Sequence, residues 1–297
     1  MFTGASSVVL DRGDYTTCTI NRQGATVTSW RVRNIELVFL GRTARLYKFN
    51  TVRGGINMIF PYIGVSDKGM HHGFSRATQW DIEDGPNYDK AGNAYVTLSL
   101  THNNWTESLW NFQFKIYYTV LLMESTLKFT LCVENLSSAI PFRFNFLQHS
   151  YLRVPDVSKC TVRGLKGCKY YDIIHDTTGR EEDEEVSVTK QTDRLYRAVE
   201  KHLYVTNVMD EGIFKITRDS KMPDFCLWNP WSDGVKKLPH LEDDEYKFFI
   251  AAESGHCGSI RVEPKTAWKS TQIIEYISTK YQEECNFNFF DLFKGYC

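Results

Sequence analysis

The run Gln113-Phe114-Lys115-Ile116-Tyr117-Tyr118-Thr119-Val120, followed across Met123-Glu124-Ser125 by Leu127-Lys128-Phe129-Thr130-Leu131-Cys132-Val133-Glu134, decides the fold class. Phe114, Ile116, Tyr118 and Val120 alternate with Gln113, Lys115, Tyr117 and Thr119, and Leu127, Phe129, Leu131 and Val133 alternate with Lys128, Thr130 and Glu134. A period of two puts each apolar set on one face of a strand, so the two runs read as an antiparallel hairpin over a shared core. Weaker runs of the same kind fall at 15–20, 25–30, 35–40, 94–100, 160–162, 212–216, 225–228, 248–252 and 267–276. No long amphipathic helical pattern interrupts them, and Gly, Asn and Asp turns separate them. The chain is therefore expected to be all-β, a sandwich or barrel built from antiparallel strands. No Pro/Ser/Gly-rich linker divides it, so residues 1–297 read as one domain. A short helical turn is expected between Leu238 and Tyr246, and the acidic stretch from Asp176 to Glu185 reads as a solvated loop.

The composition narrows the partner. The chain has 297 residues, 42% hydrophobic and 14% aromatic, enough to bury a large core. Its 35 basic and 36 acidic residues leave a formal net charge of −1 with no dominating block, so nothing favours a nucleic acid or an anionic membrane surface. Eight cysteines carry no CxxC pair or zinc-type spacing and read as reduced thiols. The first twenty residues contain Asp11, Arg12 and Asp14 and lack an apolar signal segment, and nowhere do 18 apolar residues run together. The expectation is a cytoplasmic protein acting on a small molecule. Asn104-Trp105-Thr106 and Asn135-Leu136-Ser137 match the glycosylation pattern by chance.

Chemistry concentrates in four islands. Ala252-Glu253-Ser254-Gly255 sets a carboxylate at the end of the apolar run Phe248-Phe249-Ile250-Ala251, with Gly255 read as a turn residue. Asn145-Phe146-Leu147-Gln148-His149-Ser150-Tyr151 is another apolar run, carrying a histidine where alternation favours an inner face. Glu253 and His149 on converging strands would make a general base and a general acid. The other two islands are Arg53-Gly54-Gly55 through Phe60-Pro61, and His71-His72-Gly73-Phe74-Ser75-Arg76. Neighbouring histidines on a strand would face opposite ways, and no HxH or HxxxH partner completes a metal site.

Taken in order, these residues resemble the hexose-6-phosphate mutarotases, or glucose-6-phosphate 1-epimerases, of the galactose mutarotase-like superfamily. The resemblance rests on Arg53-Gly54-Gly55 with Phe60-Pro61, His72-Gly73-Phe74-Ser75-Arg76, His149 with Tyr151-Leu152-Arg153-Val154, and Val162-Arg163-Gly164-Leu165-Lys166-Gly167 with Tyr171-Asp172. It continues through Thr192-Asp193-Arg194-Leu195-Tyr196, Trp228-Asn229-Pro230-Trp231, Asp243-Asp244-Glu245-Tyr246 and Glu253-Ser254-Gly255. It implies a large twisted β-sandwich and interconversion of the anomers of an aldohexose 6-phosphate, with His149 and Glu253 in the catalytic positions. It further implies that Arg53 and Arg76 hold the phosphate, that Asp193 contacts sugar hydroxyls, and that His71 and His72 lie against the substrate. No metal or organic cofactor is implied, and a monomer is expected, although no residue fixes the oligomeric state. Two departures stand out: His71 replaces the usual Gln, and Ser254 replaces the usual Ala or Gly. Two other readings remain open on the same residues, an aldose 1-epimerase of free sugars and a non-catalytic phosphosugar-binding protein.

Overall fold

The computed structural model describes residues 6–45, 52–65 and 70–279. They form two large antiparallel sheets. The larger runs in the order Ser7–Gly13, Thr16–Asn21, Thr26–Val32, Ile56–Ile59, Phe142–Arg153, Phe249–Val262, Asp224–Asn229, Thr192–Arg197, Lys169–Asp172 and Thr177–Arg180, with Ile35–Glu36 added beside Thr26–Val32. The smaller runs Glu185–Ser187, Thr161–Arg163, His202–Thr206, Ile213–Arg218, Ala267–Ile277, Thr126–Asn135, Phe114–Leu122, Ala94–Thr101 and Asp81–Tyr88.

The hairpin that announces the fold sits in the smaller sheet, with Phe114 opposite Asn135 and Leu122 opposite Leu127. Burial alternates without a break along both strands. Their inner residues pack against Trp30, Trp80, Phe60 and Phe74 in the core between the sheets. Phe60 anchors an aromatic group there, with Phe74, Trp110, Phe114 and Phe144 at centroid distances of 5.2–6.0 Å. Truncating one such ring to Ala typically costs about 3–5 kcal/mol.

The central strands of the larger sheet behave differently. Phe142–Arg153 and Phe249–Val262 are buried on both faces over most of their length. One face meets the main core. Above the other lies a separate apolar group of Phe39, Tyr151, Val235, Leu241, Phe249 and Ala251, flanked by Trp228 and Leu238.

Three expectations need correction. Gly255 is inside the Phe249–Val262 strand rather than in a turn, and Glu253 is mid-strand. A glycine is needed because a Cβ there would come within 2.1 Å of the Phe146 carbonyl oxygen, next to the register shift between Phe144 and Phe146. The acidic stretch is not a solvated loop throughout. Thr177–Arg180 forms an edge strand, and Glu181 is buried where Arg194 Nη1 (3.3 Å) and the Tyr196 hydroxyl (2.8 Å) donate to its carboxylate. The helical turn lies at Glu245–Phe248, with a second at Trp231–Val235.

Asn135 is buried, its amide donating to the carbonyls of Ile140 and Val262, which removes it as a glycosylation acceptor. Cys285 and Cys297 lie outside the described residues, and the other six cysteines are free thiols. Among the described residues no helix is long and apolar enough to cross a membrane.

Candidate active site

Strand order and register build the site. Residues about a hundred positions apart become neighbours because Phe142–Arg153 pairs with Phe249–Val262, with Gln148 opposite Ser254 and Tyr151 opposite Ala251. That register sets His149 beside Glu253. The ladder continues from Glu253 to Cys226 and from Cys226 to Leu195, and on the other side from His149 to Asn57. One row further along, Ala251 opposes Trp228 and Trp228 opposes Asp193. Side chains two apart on a strand share a face, so these rows turn His149, Tyr151, Glu253, Cys226, Trp228, Asp193 and Leu195 to the same side of the sheet.

On that side lies a cavity of about 370 Å³, within the usual range for small-molecule sites. Its wall contains Arg53, His71, His72, Arg76, His149, Asp193 and Glu253, the full set expected from the sequence. Leu147, Leu195, Leu238, Trp228 and Ile173 supply apolar surface, and Cys226 and Cys257 are also exposed to it. No role for the leucines, Ile173 or the two cysteines is legible in the sequence. Cys226 could have been found from its parity with Trp228 on one short strand; Ile173 and Leu238 come from connections that carry no pattern.

His149 Nδ1 lies 3.2 Å from Glu253 Oε1, both residues more than nine-tenths buried. The approach is not a hydrogen bond, for Nδ1 has no such partner among the described residues. Burial pushes Glu253 well above the usual carboxylate range, the charge of Asp193 adds to the rise, and Arg76 opposes it. Burial likewise holds His149 well below its usual range, reinforced by Arg76, His72, Arg53 and His71. Both shifts run toward the neutral forms, so the protein's own surroundings favour the pair's proton on the carboxyl side. This differs from the simple picture of an ionised Glu253 facing a protonated His149, and the reason is desolvation.

The histidine pair follows a different geometry from a strand. His72 adopts φ +64°, and Gly73 follows at φ +70°, where a Cβ would lie 2.0 Å from the Phe60 carbonyl oxygen. This left-handed turn brings the two imidazoles together, centroids 3.6 Å apart, so both border the cavity instead of diverging. The Gly64 amide donates to His72 Nδ1 at 3.0 Å, which leaves the ring proton on Nε2. Burial, then Arg76, His71 and Arg53, holds His72 down to about 2, so it is neutral. His71 is also lowered, chiefly by burial.

Arg76 is buried, and Nη2 donates to the His71 carbonyl at 3.2 Å. Burial and Arg53 lower it to about 10, with Tyr151 and Glu253 pulling the other way. Among the described residues neither Arg53 nor Arg76 is ion-paired with a carboxylate. Asp193 and Arg194 part company by strand alternation: Asp193 borders the cavity, while Arg194 bridges Asp172 (3.4 Å) and Glu181 (3.3 Å). Burial raises Asp193 to about 6; a Cys226 thiol contact at 3.7 Å lowers it, and the charge of Asp172 raises it. Among the described residues no three His, Cys, Asp or Glu side chains converge in a way that could hold a metal ion.

A carboxyl and an imidazole facing each other in a sugar-sized cavity, with apolar walls and a few polar groups, are suited to proton transfer to and from hydroxyl and ether oxygens. The comparisons agree. The family model described as aldose 1-epimerase matches residues 6–275. A protein of Cenchrus ciliaris named "Putative glucose-6-phosphate 1-epimerase" is 28% identical over 94% of this chain and 87% of its own length. One of the same name from Escherichia coli K12 is 25% identical over 79% of this chain and 78% of its own. A Salmonella typhimurium structure described as a "putative mutarotase" superposes with a TM-score of 0.83 at 20% identity, covering 93% of this chain and 92% of that one, a likeness of fold. With its two antiparallel sheets and its matched span, the chain belongs to the aldose 1-epimerase family.

Proposed function

We propose that this chain interconverts the α and β anomers of an aldohexose 6-phosphate, D-glucose 6-phosphate in the first instance, by ring opening and closure without a cofactor. With the shared proton moved from Glu253 to His149 in the substrate complex, the ionised Glu253 takes the proton from the O1 hydroxyl, the O1 lone pair forms the C1 carbonyl as the C1–O5 bond breaks, and O5 receives the proton from His149. Rotation about C1–C2 turns the aldehyde over. In closure the O5 hydroxyl attacks C1, His149 recovers the proton from O5, and O1 takes the proton held on Glu253. Each turnover returns both groups to their starting state, and a single proton distributed over the pair serves both half-reactions.

The observation that carries the phosphorylated substrate is the pair of arginines, Arg53 and Arg76, bordering the same cavity as Glu253 and His149 without a carboxylate partner among the described residues. Burying an unpaired cation such as Arg76 is costly, and a phosphate at the far end of a hexose, shared with the half-buried Arg53, offsets that cost. A guanidinium fork gives two parallel hydrogen bonds to such an anion, orienting the sugar so that C1 falls between acid and base. In this reading Asp193, on the cavity wall, accepts hydrogen bonds from sugar hydroxyls, and Trp228 offers an aromatic wall to a sugar face.

The deciding experiment is mutarotation followed with glucose 6-phosphate and with glucose. A charge-assisted contact contributes roughly 1.5–3 kcal/mol. Arg53→Ala or Arg76→Ala should therefore lower kcat/KM for the phosphate ester by about one to two orders of magnitude, and far less for the free sugar. Equal losses on both substrates would transfer the reading to an epimerase of unphosphorylated sugars.

A further inference from the structure

Among the described residues no hydrogen bond holds Nδ1 of the His149 imidazole in place. The Glu253 carboxylate 3.2 Å away is not oriented to provide one. Where a histidine must present a nitrogen to a reacting atom, its ring plane is normally fixed by a hydrogen bond to the other nitrogen. Here the plane is set by packing. Tyr151, two residues further along the same strand and on the same face, stacks on the imidazole with centroids 4.5 Å apart and planes inclined by 14°. Trp228 meets both rings edge-on, at 5.9 Å from each.

Tyr151 is itself held on every side. It is 1% exposed, packs on Phe249 at 5.1 Å and belongs to the apolar group with Phe39 and Leu241. Its backbone amide donates to the Gly55 carbonyl at 2.9 Å, tying the strand to the segment that carries Arg53. Its one polar atom faces the same segment, for the Arg53 guanidinium stands close enough to the Tyr151 hydroxyl to act on it by charge and by hydrogen bonding. One rigid ring thus touches the acid with its face and an arginine with its tip.

We propose that Tyr151 is a positioning residue that sets the plane of His149 and the direction of Arg53 together, so that an anion gripped by Arg53 is registered against the acid through a single side chain. The proposal rests on the hexose 6-phosphate reading for the identity of the anion, but the coupling itself is a property of the three side chains. It separates two contributions of one residue. The hydroxyl acts on the arginine and hence on substrate affinity, while the ring acts on the imidazole and hence on turnover.

Two variants divide these contributions. Tyr151→Phe keeps the stack and loses the hydroxyl; it should raise KM for glucose 6-phosphate by about 3- to 10-fold, a larger change than in kcat. In an Arg53→Ala background the same replacement should have almost no further effect, because the partner is gone. Tyr151→Leu keeps apolar bulk and loses the stack; kcat should fall about tenfold or more on phosphorylated and free glucose alike, and Phe at this position should restore most of it. Independent, multiplicative effects of Tyr151→Phe and Arg53→Ala, or wild-type kcat in Tyr151→Leu, would overturn the proposal. Should Tyr151→Leu fail to fold, the Phe cycle decides alone.

If the wild-type protein does not turn over glucose 6-phosphate, the functional reading fails, and the coupling is tested by titrating inorganic phosphate while following the His149 ring resonances by NMR. A response in the wild type that shrinks in Tyr151→Phe supports the coupling. Equal responses in both proteins, or none in the wild type, refute it.

Discussion

Glu253 lies in a place where its charge is expensive, and that cost should be measurable as stability. Its carboxyl is raised well above 4.5 in the folded protein, mainly by burial, whereas in the unfolded chain it titrates near 4.5. Below that value both states carry the proton and Glu253 contributes no pH dependence. As pH rises through 4.5 the unfolded state ionises first, so folding is penalised until the raised folded value is reached. Glu253→Gln removes the penalty at nearly constant volume. Its Tm should equal that of the wild type near pH 4 and exceed it by about 2 °C or more at pH 8. A Tm difference that does not grow between those limits would show that the carboxyl is not held up by its surroundings. The same replacement, and His149→Asn, should each lower kcat by about 10²- to 10⁴-fold, since each removes one proton-transfer group. The pH profile of kcat/KM should be bell-shaped, its two limbs belonging to the pair rather than to either residue, because the two groups are in contact and titrate together. Turnover near wild-type in either variant would take that residue out of the mechanism.

At the scale of elements, strand alternation was readable wherever one face meets core and the other meets water. Phe114–Leu122 and Thr126–Asn135 are such strands, and their inner residues could be named directly. Alternation says little about Phe142–Arg153 and Phe249–Val262, because a cavity and a second apolar group cover the face that would otherwise be solvated. The chemistry of those strands showed instead through polar residues out of place, His149 and Glu253. What could not be read was backbone geometry. The convergence of His71 and His72 depends on a left-handed residue, and the need for Gly255 depends on a close approach to a strand that is remote in sequence. Glu181 looked solvated among its acidic neighbours, and only the fold supplies Arg194 and Tyr196 as its partners. The glycine gives a prediction at this scale. Gly255→Ala must push the two central strands apart at Phe146 and Leu147, costing about 1–3 kcal/mol in denaturant unfolding and lowering activity through the spacing of His149 and Glu253. Unchanged stability would mean that the strands can relax at no cost and that the register shift beside Phe146 absorbs the added methyl.

For the molecule as a whole, the fold places two guanidinium groups and an acid–base pair around one cavity and so links the charge of the substrate to the location of a proton. Arg76 and Arg53 both depress His149, whereas of the two only Arg76 opposes the rise of Glu253. An anion that neutralises both arginines removes two cations that depress His149 and one that holds Glu253 down, a balance that should favour the imidazole as the proton's site, the state needed to protonate O5. On this argument the phosphate contributes to turnover as well as to affinity, since binding energy remote from the reacting atoms is converted into the reactive protonation state. The expected outcome is that inorganic phosphate, added to the wild-type protein with free glucose as substrate, accelerates mutarotation saturably. The gain should be about threefold for each half-unit by which the rise of His149 exceeds that of Glu253. Sodium chloride at equal ionic strength should not reproduce it, and Arg76→Ala should abolish it. With glucose 6-phosphate as substrate the same phosphate should only compete. Inhibition of both reactions, or an acceleration that survives loss of Arg76, would show that the arginines act on the sugar by position alone and leave the proton where the protein's own charges put it.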